Sequence, residues 1–408
     1  MSAIPVSVVV VSRGRPEALK RCLMGISQLV YGAFEIVVVT DREGQDAVAK
    51  HPFAEQIKIA PYERPNISGA RNHGIAMAAG EVVAFIDDDA VPEPGWLHHL
   101  IAPFAEAEVA AAGGFVRGRN GISMQWRARQ VDYTGVASPL ALEGERSVVL
   151  HGRAGHAIKT EGTNMAVRRD VLAELGGFDT AYRFFLDETD LNMRLAQRGL
   201  ATAIVPLAEV HHGFEANVQR NAGRVPRDLS EIGASLAVYL RKYCPESERA
   251  GVWKAFRTEQ RQRMLRHMVR GDAMPGDVGR LMRGLSRGYK DGLAREFGSL
   301  AQIVRAADGF RRVDVTAGAG VVVAGRRWRK VEAEAVRLVG DGKVPSVFQF
   351  RPNARYHRVK YDPRGFWVQR GGLFGRSERA GRLVRLTRFS SRVKREVQRV
   401  AKVRFLGD

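Results

Sequence analysis

Gly80-Glu81-Val82-Val83-Ala84-Phe85-Ile86-Asp87-Asp88-Asp89-Ala90-Val91-Pro92 is an apolar run that ends on three consecutive carboxylates. Its β-branched and aromatic residues predict a buried strand, which puts the acids at the strand's carboxyl end, where open α/β sheets bind ligands. Three adjacent aspartates repel one another unless a cation joins them, and hard divalent ions such as Mg²⁺ or Mn²⁺ take oxygen ligands. A metal ion carrying a phosphorylated substrate is the reading this stretch supports. The plainer alternative is a solvated acidic turn capping the next helix. No basic residue stands beside the triplet in sequence to neutralise Asp87 and Asp89.

Upstream, Val6-Ser7-Val8-Val9-Val10-Val11 reads as a first buried strand, and Ser12-Arg13-Gly14-Arg15-Pro16 turns the chain into a helix. Pro16 suits a first helical position, and Leu19, Leu23, Ile26 and Val30 recur at helical spacing. Residues 34–40 form a second strand ending on Asp41, 57–60 a short third strand, and 66–79 a helix closed by Gly80. The alternation predicts an α/β fold with a doubly wound, mostly parallel sheet and right-handed crossovers. No G-x-G-x-x-G follows the first strand, which argues against a dinucleotide and leaves a mononucleotide derivative in play.

A chain of 408 residues with 45% hydrophobic content has room for two or three cores. Its net charge of +20 is uneven. Residues 1–213 hold 21 Lys and Arg against 25 Asp and Glu, whereas 214–408 hold 43 against 19, a local excess of +24. A nearly neutral part joined to a strongly basic one implies two physical tasks. Cys22 and Cys244 lie far apart with no metal-ligand spacing, which fits buried thiols in a reducing compartment. No apolar run approaches a membrane span, and the first residues do not read as a signal peptide. A cytoplasmic location is the expectation.

Ser7-Val8-Val9-Val10 with Arg15-Pro16-Glu17-Ala18-Leu19, then Asn66-Ile67-Ser68-Gly69-Ala70-Arg71-Asn72-His73-Gly74-Ile75, then Phe85-Ile86-Asp87-Asp88-Asp89 resemble family 2 glycosyltransferases of the GT-A fold. The resemblance continues through Gly162-Thr163-Asn164-Met165, Gly176-Gly177-Phe178-Asp179 and Asp187-Glu188-Thr189-Asp190-Leu191, and covers about residues 4–213. It departs where the second strand ends Val39-Thr40-Asp41-Arg42, without the family's usual aspartate pair, and where the Glu-Asp pair is reversed to Asp187-Glu188.

The resemblance implies an inverting, hexosyltransferase-type enzyme of polysaccharide biosynthesis. It would move a sugar from a nucleoside-diphosphate sugar to an acceptor hydroxyl on a glycan or lipid-linked saccharide. Breaking the donor's glycosidic bond leaves negative charge on the diphosphate, which Mn²⁺ or Mg²⁺ or basic groups must meet. By resemblance Asp89 ligates the ion, Asp87 holds the ribose or a metal-bound water with Asp88 helping, and His212, with His211 beside it, completes the metal shell. Ser12, Arg15, Asp41, Asn66 and Arg71 belong to the nucleotide side, an arginine being able to grip a phosphate bidentately. A carboxylate within hydrogen-bond reach can take the acceptor's proton; Glu188 is favoured as base with Asp187 as understudy, although simple capping of a helix start also explains the pair. Gly113, Gly114, Thr163, Asn164 and Trp96 are the acceptor-side candidates, Trp96 being either a sugar platform or a core residue. Residues 117–159 show little periodicity and read as an acceptor loop, with Trp126 and Tyr133 as contacts. Asp190 and Arg194 are spaced for an intrahelical ion pair.

Beyond this 1–213 domain, 229–242, 247–269 and 277–305 read as helices within a mainly helical basic region, 214–340. Residues 341–408 read as an irregular or short-stranded segment followed by a basic amphipathic helix with an apolar stripe at Leu386, Phe389, Val393, Val397 and Val400. Such a helix can lie on an anionic membrane face, bind a partner, or stay solvated. A peripheral membrane position and a lipid-linked acceptor are therefore expected, with nucleic acid not expected among the partners. Two other classes stay in view. A nucleotidyltransferase would want a glycine-rich phosphate loop after the first strand, and a nucleic-acid-binding protein with a vestigial acidic site would use the basic half.

Overall fold

In the computed structural model, which describes residues 3–213, 225–305, 308–314, 318 and 320–406, the valine-rich run forms β1 (Val6–Ser12). Its side chains are buried on both faces save Val11. α1 (Pro16–Ile26) starts on Pro16 and buries Leu19, Cys22, Leu23 and Ile26; it stops before Val30, which is exposed. β2 (Phe34–Thr40) is wholly buried. Asp41 then caps α2 (Arg42–Ala49), a helix absent from the sequence reading, by accepting from the Gly44 N–H at 3.1 Å. β3 (Ile57–Pro61) and α3 (Ile67–Met77), capped by Asn66, lead into β4 (Val82–Asp87).

After the triplet come β5 (Ala90–Pro92), α4 (Trp96–Ile101), β6 (Val109–Arg117), β7 (Met124–Trp126), β8 (Arg129–Asp132), β9 (Ala137–Pro139), β10 (Val148–His151), β11 (His156–Lys159), β12 (Met165–Arg168), α5 (Arg169–Glu174), α6 (Asp187–Gln197) and β13 (Ala201–His212). The main sheet runs β10-β13-β6-β12-β4-β1-β2-β3. β3, β2, β1, β4, β6 and β13 point one way, and β12 is reversed between β4 and β6. The stretch expected as a loop, 117–159, instead holds five short strands, three of them in a separate β11-β8-β9 sheet.

The longest strand places the site. β13 runs through Pro206, with a register shift between Val205 and Glu209. A bulge of this kind re-aims a strand. The redirected end pairs antiparallel with β5, setting His212 opposite Ala90 just past the triplet.

α7 (Ser230–Tyr243), α8 (Glu246–Val269) and α9 (Pro275–Ala294) follow. α7 and α9 meet backbone to backbone at Gly288 and Gly292, where an added Cβ would lie 1.8 Å from the Ser230 carbonyl oxygen and 2.2 Å from that of Ala234. α9 ends at Ala294, well before 305, because Arg295 turns extended and its guanidinium binds Glu231 and Asp291. The chain then straps along the first domain, Gly298 N–H donating to Asp179 at 2.7 Å and Val313 N–H to the Phe34 carbonyl at 2.9 Å.

β14 (Gly320–Gly325), α10 (Trp328–Gly340), β15 (Val344–Arg351), β16 (Arg358–Asp362), β17 (Phe366–Gly372) and α11 (Phe389–Arg404) complete the chain. The segment read as irregular is thus part of an ordered β14-β15-β17-β16 sheet whose first strand and covering helix come from before residue 341. The apolar stripe expected to touch a membrane is used inside the protein. Val400 is buried, and Phe389, Val393 and Val397 are partly buried, against Phe348, Phe350 and Leu373. Leu386 is the exception, at 83% exposed. Among the described residues no helix is long and apolar enough to cross a membrane.

Candidate active site

The carboxyl ends of β1 and β4 bring Ser12 beside the triplet, and the Ser12 hydroxyl donates to Asp88 Oδ2 at 2.6 Å. Arg15, at the start of α1, pairs with Asp88 and reaches Asp89 at 3.5 Å. The triplet therefore does have cations, brought from elements distant in sequence: Arg15 for Asp88 and Asp89, and Arg71 of α3 for Asp87 at 3.4 Å. Asp88 is fully buried; burial and the neighbouring carboxylates push its pKa up against the pull of Arg15. It braces the loop from within, whereas Asp87 is partly open.

His212 Nε2 lies 3.2 Å from Asp89 Oδ1, and the Gly213 N–H donates to the Asp89 carbonyl at 2.7 Å. Asp87, Asp89 and His212 each offer one ligand atom, all within 4.8 Å of one another. Two carboxylate oxygens and an imidazole nitrogen fit a divalent ion that accepts mixed O and N donors. A second group at similar spacing, Glu93, Glu209 and His211, is largely buried, and an arginine grips each carboxylate, Arg404 for Glu93 and Arg117 for Glu209. Those acids are already neutralised, so this group ties the structure together.

Arg71 joins the triplet to the other acidic motif. Its guanidinium, 5% exposed, contacts Asp187 at the start of α6 as well as Asp87, donates to the Gly162 carbonyl at 3.2 Å and lies over the Phe178 ring. Phe185 and Leu186, just before Asp187, both have positive φ, 74° and 66°. Such backbone costs about 1–3 kcal/mol per residue and persists where the surroundings impose it. Here Leu186 is buried, and the Ser235 hydroxyl of α7 holds the Phe184 carbonyl at 2.7 Å.

Glu188 meets Lys159 Nζ at 3.0 Å. Burial pushes Asp187 up to about 7 against the pull of Arg71. Burial also acts to raise Glu188, but Lys159 and Arg71 outweigh it and hold that carboxyl at about 2. Two neighbouring carboxyls with separated proton affinities are the pattern of divided acid–base duty. Side-chain exposure separates them too: 18% for Glu188 and 4% for Asp187. Lys159 was missed by sequence reasoning, because it closes a strand of four residues inside a stretch without periodicity. Asp190 and Arg194 form the anticipated i, i+4 pair at 2.9 Å, and Lys242 of α7 adds a second cation to Asp190 at 2.8 Å.

The remaining candidates divide. Asp41, at the end of β2, accepts from the Gly14 N–H at 2.7 Å and shapes the turn after β1. Asn66 is held by capping and by donating to the Thr180 carbonyl. Trp96 is fully buried, its Nε1–H donating to Asn164 Oδ1 at 2.7 Å, so it has no face to offer a sugar. Asn164 is equally buried and pins the Phe115 and Ala208 carbonyls. Gly113 and Gly114 make room for Thr160 and for Asn164 with the Ala208 carbonyl, a close approach of protein rather than of substrate. Thr163 is buried. Trp126 does border the cluster, its ring 5.8 Å from that of His212, whereas Tyr133 bonds Glu248 of α8.

Residues 4–231 match the family described as Glycosyltransferase like family 2. The pre-mycofactocin glycosyltransferase of Mycobacterium tuberculosis (strain ATCC 25618 / H37Rv) is 27% identical over 224 residues, 52% of this chain and 44% of that protein. The glucosyl-dolichyl phosphate glucuronosyltransferase of Haloferax volcanii is 30% identical over 184 residues, 43% of this chain and 56% of that protein. The chain spans about half the length of these curated relatives. Among solved structures, GalNAc-T7 with UDP, GalNAc and Mn²⁺ aligns over 59% of this chain and 48% of its own at 18% identity and a TM-score of 0.46. The mannosyltransferase PcManGT from Pyrobaculum calidifontis, in complex with GDP-Man and Mn²⁺, aligns over 72% and 89% at 16% identity and a TM-score of 0.44.

Proposed function

This chain belongs to the glycosyltransferase like family 2, and we propose that it is an inverting glycosyltransferase moving a sugar from a nucleoside-diphosphate sugar to an acceptor hydroxyl, with Mn²⁺ or Mg²⁺ as cofactor. The observation that carries the reading is the meeting of both acidic motifs on one buried guanidinium, Arg71 touching Asp87 of β4 and Asp187 of α6. That contact supports a reading in which Asp87 helps hold the cation and Glu188, next to Asp187, accepts the proton, the two tasks that transfer from a diphosphate requires.

Asp87, Asp89 and His212 would hold the ion, which when bound supplies positive charge for the departing diphosphate. Ser12, Arg15 and Asp41 sit at the carboxyl ends of β1 and β2, the edge at which an open α/β sheet receives a nucleotide. Glu188 takes the acceptor's proton, being the more exposed of the pair, with Lys159 fixing its carboxylate and Asp187 fixing Arg71. A panel of nucleotide sugars incubated with Mn²⁺ or Mg²⁺ and followed for nucleoside diphosphate release tests the proposal. Release from at least one donor is expected, and none from any donor overturns it.

A further inference from the structure

Asp89 and His212 open into a cleft of about 500 Å³ between the first domain and the C-terminal sheet, whose far wall includes Lys360 and Arg370. Those two residues also border a second cleft of about 600 Å³ that continues across the sheet past Arg358, Arg351 and Arg355. The two spaces form one groove leading away from the cation-binding cluster. All five basic side chains are exposed, and no carboxylate lines the second cleft. Among the described residues none of the five has an ion pair within 4.0 Å. Asp362, the nearest acid along β16, is engaged by Arg364 at 2.8 Å.

This charge is costly to the fold. Arg358 and Arg370 stand directly opposite each other in the antiparallel β16–β17 pair, where like charges destabilise a sheet. α10 adds to it: Trp328, its first residue, lines the groove under the Arg370 guanidinium, and its first turn has no acid and no side-chain cap. A helix start of that kind favours an anion. Tyr356, 56% exposed, also lines the second cleft, with the Arg376 guanidinium 4.6 Å from its ring centre.

We infer that this groove binds the acceptor, and that the acceptor is a saccharide chain bearing anionic groups, carboxylate or phosphodiester. The word acceptor rests on the glycosyltransferase reading; the preference for an anion rests on the groove alone. The two clefts share Lys360, Val368 and Arg370, and Asp89 and His212 line the first, so a chain lying along them would bring one end beside the cluster. A flat lipid surface cannot enter the groove.

Binding decides the matter without turnover. Fluorescent oligogalacturonate supplies carboxylates and a glycerol-phosphate oligomer supplies phosphodiesters, with neutral dextran oligomers as reference; the full chain is titrated with each. At least one anionic oligomer should bind about tenfold or more tighter than dextran, weaken as salt rises, and lose about tenfold in R358E/K360E, whose melting temperature should be no lower than that of the unaltered chain. Which oligomer binds identifies the anion. Equal binding of dextran, equal binding by R358E/K360E, or displacement of the oligomer only by RNA or by phosphatidylglycerol vesicles overturns the inference. Donor release by the unaltered chain is scored separately, so a failed glycosyltransferase reading is distinguishable from a failed groove.

Discussion

His212 Nε2 lies 3.2 Å from Asp89 Oδ1, held there by the short ladder that joins the end of β13 to β5. If the pair is part of a metal site, His212→Ala and Asp89→Ala should each abolish the rise in melting temperature that nucleoside diphosphate and Mn²⁺ produce together. A ligand at a hundred times its Kd stabilises the folded state by about 2.7 kcal/mol, so the shift is measurable. Undiminished transfer after thorough chelation would show that the ion is not needed.

Glu188→Gln preserves shape and removes the proposed proton acceptor. Donor binding should persist while turnover falls by about two to four orders of magnitude. Asp187→Asn leaves Arg71 without its closest anion, so donor affinity should weaken along with turnover. The reverse pattern, normal turnover for Glu188→Gln and a pure rate loss for Asp187→Asn, assigns the base to Asp187.

Arg404 of the last helix grips the buried Glu93 with two hydrogen bonds of 2.7 and 2.9 Å. Arg404→Met strands that carboxylate and should cost about 3–5 kcal/mol in denaturant unfolding, since breaking a buried pair leaves an uncompensated charge. Adding Glu93→Gln should return part of the loss. A double-variant cost equal to the sum of the Arg404→Met and Glu93→Gln costs would mean that the pair carries no coupling.

Acid should destabilise the C-terminal sheet. Burial holds His357 down to about 4, with its ring nitrogens against the Gly372 carbonyl and the Gln369 amide at 2.8 Å. The unfolded chain binds a proton at about 6.5 and the folded one does not, so stability falls as pH drops from about 6.5 toward 4, by about 3 kcal/mol in all. For Glu396, burial acts to raise the pKa, but Arg399, Ser377 and Gln369 together hold it at about 2. Its contribution is present above the unfolded value and disappears as pH falls through about 2, the same direction. Melting curves of the full chain from pH 7 to 4 should show this loss, and His357→Gln should flatten it.

The triplet, the strands beside it and the acidic pair were legible because each is written in a contiguous run whose period or charge needs no partner. The place of His212 beside Asp89 was legible only through resemblance, since its position depends on the bulge at Val205 and Glu209 that swings β13 onto β5. Arg15 and Arg71 read as nucleotide ligands, but their carboxylate partners lie across the fold, and no spacing rule links them. The strands in 117–159 are too short to display alternation. β14, β15 and β17 pair in parallel through long crossovers, so neither turn residues nor local period announced that sheet. The stripe on α11 was seen correctly as apolar; its partner, the face carrying Phe348 and Phe350, could not be read from the helix itself.

The β13 extension carries His211 beside His212, and His211 touches Glu93 at 2.7 Å, the residue Arg404 clasps. Asp89 and His212 are thereby linked to a turn of α11 far along the chain. During synthesis at about 5–20 residues per second, Arg404 is added about 190 residues after His212. Until it arrives, Glu93 has no guanidinium to balance it, so the brace beneath the acidic cluster is among the later contacts to form.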